Sequence, residues 1–465
     1  MIELEYHNAY VKVKGATKDQ ALLMSDLLSF EPEGMEHARR HLPGYLKNWD
    51  GRKRLMNRKS MTFPSGLAPQ IVRYLREEKV EFKVREMRKK PKISTSKLKI
   101  IADIEPRDYQ IEVRELKRKY SRGIVWMGTG GGKTITAGLV IADKGVDTLF
   151  VTPDTGLREQ TLNVFRWLFG DDKVGSDVNS SKPIIVNNIQ ALAKKTVQEL
   201  ERFRMLIIDE FHHSASAQYQ DLNHMVALAY YRYGLTGTFV RPDGQDMVMH
   251  GVLSSVIYKK SASDLIEGGY LVPPDITMFE WKLKNYSKLN YRDAYQRMIG
   301  DREFNDFTAN LTNVKIREGK QTLVLVRRKE HGKLLASMIP DAVYISGDDK
   351  VKFRDQMKVD FNTKKIPCLI ATSVMGEGQD IPNIDVLINV RLQESEIQTK
   401  QGIGRALRLG DGAKNYEESV ALGKSKCEVY DFLITGQRHL KAHSVSRMQQ
   451  YSSEPAFRVT VSGIN

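Results

Sequence analysis

Residues Arg122-Gly123-Ile124-Val125-Trp126-Met127 form an apolar β-type run that leads into Gly128-Thr129-Gly130-Gly131-Gly132-Lys133-Thr134. The helical pattern Ile135–Asp143 follows. Strand, glycine loop and helix in that order make a P-loop. Glycines let backbone N–H groups turn toward phosphate oxygens, and the start of the helix adds the positive end of its dipole. The loop from Gly128 through Thr129, Gly130, Gly131 and Gly132 is therefore the expected phosphate cradle. Lys133 is expected to reach the β- and γ-phosphates, and the Thr134 hydroxyl to ligate magnesium. One position departs from the G-x-x-x-x-G-K-[ST] pattern: its first glycine is Met127 here.

Downstream, Met205-Leu206-Ile207-Ile208 runs into Asp209-Glu210-Phe211-His212-His213. An apolar strand ending in Asp-Glu puts two carboxylates at the carboxyl edge of a sheet, where parallel sheets bind ligands. Asp209 is expected to hold magnesium through its water shell, and Glu210 to orient and deprotonate the attacking water. An acid pair after a strand means little alone. Beside a P-loop it acquires a purpose, because phosphoryl transfer needs both parts. Tyr233-Gly234-Leu235-Thr236-Gly237-Thr238 then ends a strand in two hydroxyls flanking a glycine, a candidate relay. His212 is read as a coupling residue and His213 as packing or solvated.

The rest of the chain fits an α/β protein of several domains. At 465 residues, two to four domains are expected. Hydrophobic residues at 41% and charged residues at 28% exclude a disordered or fibrous chain. A net charge of +15 favours phosphate-rich partners or anionic surfaces. The charge is uneven, since residues 1–100 carry 22 Lys and Arg against 12 Asp and Glu. That segment mixes β-type runs with a helical pattern at Leu67–Glu77 and reads as a basic α+β module over 1–95. Two further blocks alternate apolar runs with helical patterns. The first, 96–270, includes Thr148–Thr152, Pro183–Asn187 and Met205–Ile208; the second, 271–465, includes Thr322–Val326, Ala342–Ile345, Cys368–Thr372, Val386–Asn389 and Glu428–Phe432. Unbroken apolar runs suit strands buried on both faces, hence parallel sheets. Two cysteines, Cys368 and Cys427, exclude a disulfide framework and a four-thiolate zinc site. No apolar run of ~18 residues is present, and Met1–Tyr10 lacks an apolar signal core. An intracellular, cytoplasmic, soluble protein is expected, with no membrane partner.

Together these residues resemble the motif series of the superfamily 2 helicases. Glu105-Pro106-Arg107-Asp108-Tyr109-Gln110 resembles the family's adenine-reading element, with Arg107 and Gln110 in the matching positions. Val151-Thr152-Pro153 resembles motif Ia, and Asn187-Asn188-Ile189-Gln190-Ala191-Leu192 resembles motif Ib. Ala371-Thr372-Ser373-Val374-Met375-Gly376-Glu377-Gly378-Gln379-Asp380-Ile381-Pro382 resembles motif V. Gln401-Gly402-Ile403-Gly404-Arg405-Ala406-Leu407-Arg408 resembles motif VI, with Gln-Gly where the family often has Gln-Arg. Asn48-Trp49-Asp50-Gly51-Arg52-Lys53-Arg54-Leu55 and Phe63-Pro64-Ser65-Gly66-Leu67 look like the N-terminal module of phage UvsW-type branch-migration helicases.

The resemblance implies two RecA-like parallel-sheet motor domains in tandem, preceded by the small basic α+β domain. It implies ATP and Mg2+ as cofactors, with Arg107, Gln110 and Gln401 on the nucleotide. Arg405 and Arg408, three apart on an expected helix, share one face and supply the arginine finger, a device worth ~10³–10⁵ in rate. Backbone contacts to DNA are expected from Thr152, Arg158 and Asn188 in the first motor domain and from Arg327, Thr372 and Gly376 in the second. Arg52, Lys53 and Arg54 are further candidates in the basic module. The implied activity is DNA unwinding with 3′-to-5′ polarity on forks, Holliday junctions, single strands and duplexes, in the host cytoplasm if phage-encoded, with a monomer as the working form. A duplex translocase, an RNA helicase and a non-enzymatic ATP-switched clamp stay open as alternatives.

Overall fold

The computed structural model describes residues 1–32, 49–94, 97–237, 246–372, 383–393 and 396–463, and of residues 213, 215, 396–398, 400 and 401 the backbone only. The chain divides into two compact units. One is Met1–Met127 with Gly132–Lys259, the other Gly128–Gly131 with Lys260–Asn465.

The first unit begins with a four-stranded sheet in the order Thr62–Pro64, Tyr10–Lys14, Ile2–Tyr6, Phe82–Glu86. Tyr10–Lys14 pairs antiparallel with both its neighbours, and Phe82–Glu86 runs parallel to Ile2–Tyr6. Helix Ala68–Glu77 covers it, burying Ala68, Ile71 and Leu75 at helical spacing. Ile2, Leu4, Val11, Val13, Met24, Phe63 and Leu67 complete this core. At about 2 kcal/mol for each large apolar side chain, a module this small is marginal alone, and it leans on the sheet that follows. Gly66 shows how closely: a Cβ there would lie 1.9 Å from the His250 carbonyl oxygen.

That following sheet has seven strands in the order Val256–Lys260, Arg122–Met127, Tyr231–Thr236, Met205–Ile208, Thr148–Thr152, Ile184–Asn188, Val174–Gly175. The central strands pair parallel and are buried along their whole length, as unbroken apolar runs require. The register puts Ile208 opposite Val151 and Gly234, and Trp126 opposite Thr236. The P-loop, the Asp-Glu pair and the Thr236 hydroxyl therefore leave the sheet along one edge.

The second unit holds another seven-stranded parallel sheet, in the order Ala342–Ile345, Cys368–Ala371, Thr322–Leu325, Val386–Asn389, Cys427–Thr435, Pro274–Lys282, Arg458–Gly463. Trp281, Phe304, Phe432, Ile388 and Leu335 lie in its core. The pair of sheets is the tandem RecA-like architecture. Strands Val256–Lys260, Val174–Gly175, Pro274–Lys282 and Arg458–Gly463 were not expected from sequence. The first and last are partly or largely exposed edge strands, and Pro274–Lys282 is buried on alternate residues, so none presents a continuous apolar run. Helix Glu396–Ala406 is shorter than expected: Arg408 lies two residues past its end, in a tightened turn whose N–H donates to the Arg405 carbonyl at 3.4 Å. No helix among the described residues is long and apolar enough to cross a membrane.

Candidate active site

The P-loop follows from its glycines. Gly130 and Gly132 have φ values of 86° and 72°, the left-handed region that side chains avoid. Gly132 occupies the cap position of helix Lys133–Lys144 without a side-chain cap, so the first amides of that helix are left for an anion. A Cβ on Gly132 would lie 2.7 Å from Gln110 Nε2, which donates to the Gly132 carbonyl at 3.5 Å. Gln110 is itself fixed: its Oε1 accepts from the Arg107 backbone N–H at 3.1 Å at the start of helix Asp108–Lys119. Gln110 thus touches the end of the phosphate loop, with Arg107 at the start of the same helix.

Lys133 Nζ lies 3.3 Å from Glu210 Oε1. Glu210 Oε2 lies 3.4 Å from His212 Nδ1, and that nitrogen is 3.3 Å from the Thr236 hydroxyl. Asp209 and Glu210 are nearly buried, and Asp209 Oδ1 accepts from the Glu210 N–H at 2.9 Å. Glu210 holds φ 43°, a left-handed conformation that costs a non-glycine residue about 1–3 kcal/mol and concentrates at functional sites. Lysine, carboxylate, imidazole and hydroxyl form one connected line at the carboxyl edge of three adjacent strands. The donor set suits a magnesium–triphosphate complex. Magnesium keeps several waters and needs one or two protein oxygens besides the phosphates, and Thr134 and Asp209 are the residues that would offer them. Among the described residues no group of three or more His, Cys, Asp or Glu could hold a metal on its own.

The expected nucleic-acid contacts are placed unevenly. Thr152 and Asn188 are register partners at the ends of neighbouring strands. The Thr152 hydroxyl donates to the Asp154 carbonyl, and Asn188 caps helix Ile189–Leu192 by accepting from the Ala191 N–H. Both side chains shape the loop edge. Arg158 pairs with Glu159 at 2.7 Å. Arg327 is exposed and donates to the Tyr291 hydroxyl at 2.6 Å, and Thr372 is buried at the end of its strand. Gly376, with Gln379 and Asp380, lies outside the described residues, as does the side chain of Gln401.

In the basic module the turn Trp49–Arg52 is anchored internally: Trp49 Nε1 donates to the Arg52 carbonyl, and Asp50 accepts from the Arg52 N–H. Arg54 pairs with Asp26 at 2.8 Å and Asp50 at 2.6 Å. The Arg54 hydrogen bond and the Arg52 N–H hold the Asp50 carboxyl down at about 2. Arg54 is therefore committed within the module. Arg52 donates weakly to the Ser29 carbonyl, and Lys53 is exposed.

In the second unit Arg405 lies in the last turn of its helix and is buried, and burial pushes Arg408 down to about 10. Sequence reasoning missed Arg391. Its guanidinium, likewise lowered to about 10 by burial, donates to Asn389 Oδ1 at 3.1 Å. A Cβ on Gly402 would sit 2.9 Å from Arg391 Nη2, so this arginine backs the helix that carries Arg405. The signal available was an arginine two residues past a buried strand.

Comparison with known proteins agrees with this geometry. Residues 103–241 match the family described as the type III restriction enzyme res subunit, and residues 304–410 match the helicase conserved C-terminal domain. The DNA 3′-5′ translocase XPB2 of Sulfurisphaera tokodaii is 25% identical over 354 residues, 66% of this chain and 80% of that protein. Other curated helicases are covered over 37–64% of their own length. Among solved structures, T4 UvsW matches over 100% of this chain and 99% of its own at 19% identity, with a TM-score of 0.47. Mycobacterium smegmatis helicase Lhr, solved with ssDNA and AMP-PNP, matches over 74% of this chain and 48% of its own at 18% identity, with a TM-score of 0.52. With both motor-domain families in tandem on two parallel seven-stranded sheets, the chain belongs to the superfamily 2 helicases.

Proposed function

We propose that this chain is an ATP- and Mg2+-dependent DNA helicase that remodels branched DNA, by branch migration, fork regression and unwinding with 3′-to-5′ polarity. The observation that carries the reading is the line Lys133–Glu210–His212–Thr236. It joins a phosphate-binding cation to a base positioned for water, and the base to a strand end that can report on it. Thr134 and Asp209 would hold magnesium. Arg107, Gln110, Gly128, Thr129, Gly130, Gly131, Gly132 and Gln401 would hold the nucleotide. Arg405 and Arg408 would supply the cations for charge developing on the γ-phosphoryl group. Bound Mg2+–ATP supplies the scissile phosphoanhydride and neutralises its charge.

DNA rather than RNA is favoured by Asp-Glu-Phe-His in place of Asp-Glu-Ala-Asp, and by the relative named as a DNA translocase. Branched substrates are favoured by the basic module at the head of the chain. The deciding experiment measures ATP hydrolysis and strand exchange on a four-way junction, a fork, a blunt duplex and an RNA duplex. Junction and fork should be processed with ATP. Turnover on blunt duplex without strand separation would instead identify a duplex translocase, and turnover confined to RNA an RNA helicase.

A further inference from the structure

A second basic face lies at the opposite edge of the first motor sheet from the P-loop. Strands Arg122–Met127 and Tyr231–Thr236 begin there near Arg122 and Arg232, which are register partners. Both guanidiniums are buried. Arg122 donates to the Ser65 hydroxyl and the Asn8 carbonyl, and Arg232 to the carbonyls of Asn223, Val226 and Ala229. Every one of these acceptors is neutral. Two like charges on adjacent strands are held in a low-dielectric interior by neutral acceptors; Glu86, the acid whose charge also reaches Arg122, is already paired with Arg88, so the edge keeps an excess of positive charge.

Two cavities of about 450 and 520 Å3 open at this edge and share Arg88 and Lys90. The first also has Lys89, Arg204 and Tyr10 in its wall and, among the described residues, no carboxylate. The second adds Arg118, Lys119 and Tyr230, with Asp143 the one acid among the described residues of its wall. Compensation of helix C-termini explains part of this charge, because Arg118 and Lys119 sit in the last turn of their helix. It does not explain Lys89, Lys90 or Arg204, which lie on connecting segments. Arg88 is already spent, pairing with Glu86 at 2.7 Å and lying 4.2 Å above the Tyr6 ring. Lys89, Lys90 and Lys119 are exposed, and among the described residues no carboxylate pairs with them.

We propose that these cavities bind the sugar-phosphate backbone of a single nucleic-acid strand, forming a second track ~20 Å from the nucleotide site across the six-residue strand. Concavity favours a single strand over a duplex, whose convex backbone cannot enter cavities of this size. Cations along a groove interleaved with aromatic rings are the usual means of holding such a strand without reading its sequence. The track goes beyond the helicase reading, since it takes no part in ATP chemistry. It would hold one arm of a branched substrate while the motor works on another.

The test uses the full chain with Lys89, Lys90 and Lys119 changed to Glu, and measures nucleotide-free binding to a fork with one single-stranded arm across a salt series. Affinity should fall at least about tenfold, and the slope of log K against log salt should flatten by about 2, as loss of three phosphate contacts at ~0.7 each requires. ATP turnover at saturating short single strand should be unchanged. A photoreactive label at Lys90→Cys should crosslink to the single-stranded arm. Wild-type affinity and salt slope, absence of a crosslink, or displacement of the fork by millimolar inorganic phosphate at constant ionic strength would each overturn the proposal. Because no nucleotide is present, the result is independent of whether the chain unwinds DNA.

Discussion

Lys133 Nζ and Glu210 Oε1 stand 3.3 Å apart, each side chain close to fully buried. The pair joins the residue after the glycine loop to the acid after the Met205–Ile208 strand, so each arm of the site holds the other in place. The lysine balances the carboxylate here and is the cation expected on the phosphates. Lys133→Ala should remove a charge-assisted contact of about 1.5–3 kcal/mol, weakening ATP binding tenfold or more and abolishing unwinding. Equilibrium titration with a fluorescent ATP analogue and a fork-unwinding assay check this. Unwinding that survives the substitution would mean the P-loop assignment is wrong.

Glu210→Gln separates binding from chemistry. Glutamine keeps the shape and can still meet His212, but it cannot take a proton from water. Turnover should fall by about 10²–10⁴, with ATP and DNA affinities near wild type. Single-turnover hydrolysis alongside filter binding distinguishes this from simple loss of the site. Near-normal turnover would remove Glu210 from the role of base.

Gly132→Ala tests the fit between the loop and Gln110, the residue proposed to read the adenine. A left-handed φ of 72° costs an L-residue roughly 1–2 kcal/mol. The new methyl would also displace Gln110, whose Nε2 is 2.7 Å away. The expected result is a lower melting temperature together with a raised KM for ATP and poorer discrimination against GTP. A change in stability alone would separate Gln110 from base recognition.

How far the sequence revealed this architecture depended on the range of the forces involved. Thr148–Thr152, Met205–Ile208 and Val386–Asn389 are strands with the ends their apolar runs suggest, because they are buried on both faces; Ala342–Ile345 keeps its expected ends although it is a partly exposed edge strand. Arg458–Gly463 sits exposed at an edge and carries no such mark. The phosphate loop was legible because its chemistry demands glycine at consecutive positions. The pairing of Arg54 with Asp26 was not, since it spans 28 residues and follows from tertiary folding. The same holds for Arg122, whose acceptors come from the N-terminal module. Those bonds also change the experiment the basic module invites. Deleting residues 1–95 would strand a buried guanidinium, so charge reversal at Arg52 and Lys53 is the cleaner probe of junction binding, and it should weaken forks and four-way junctions more than plain single strands.

His331 predicts a pH dependence in the second unit. It is buried, its Nε2 is 2.9 Å from Asn305 Oδ1, and burial lowers its pKa to about 4. The folded-state value lies below the unfolded value, so between about pH 4 and 6.5 the unfolded chain binds a proton that the native state refuses. The contribution to stability is complete above about pH 6.5 and is lost as pH falls toward 4. A depression of this size corresponds to roughly 3 kcal/mol at most. Urea unfolding between pH 5 and 7.5 should show stability rising with pH, and His331→Gln should flatten that rise. An unchanged slope would place the titrating group elsewhere.

Asp431 and Arg447 form a buried ion pair at 2.9 Å that ties helix Arg438–Ser452 to its strand. Asp431 also accepts from Asn389 Nδ2 at 2.9 Å and from the Tyr451 hydroxyl at 2.6 Å, and Asn389 in turn accepts from Arg391. Removing one partner of such a pair leaves an uncompensated buried charge at a cost of about 3–5 kcal/mol, whereas replacing both with apolar residues of similar volume can be close to neutral. Asp431→Leu should therefore destabilise strongly, and adding Arg447→Met should recover much of the loss. Because the network reaches Arg391, which backs the helix of Arg405, the stable double variant should still hydrolyse ATP more slowly while nucleotide affinity is kept. Full turnover in that double variant would show the network to be structural alone, and would free the arginine helix from dependence on it.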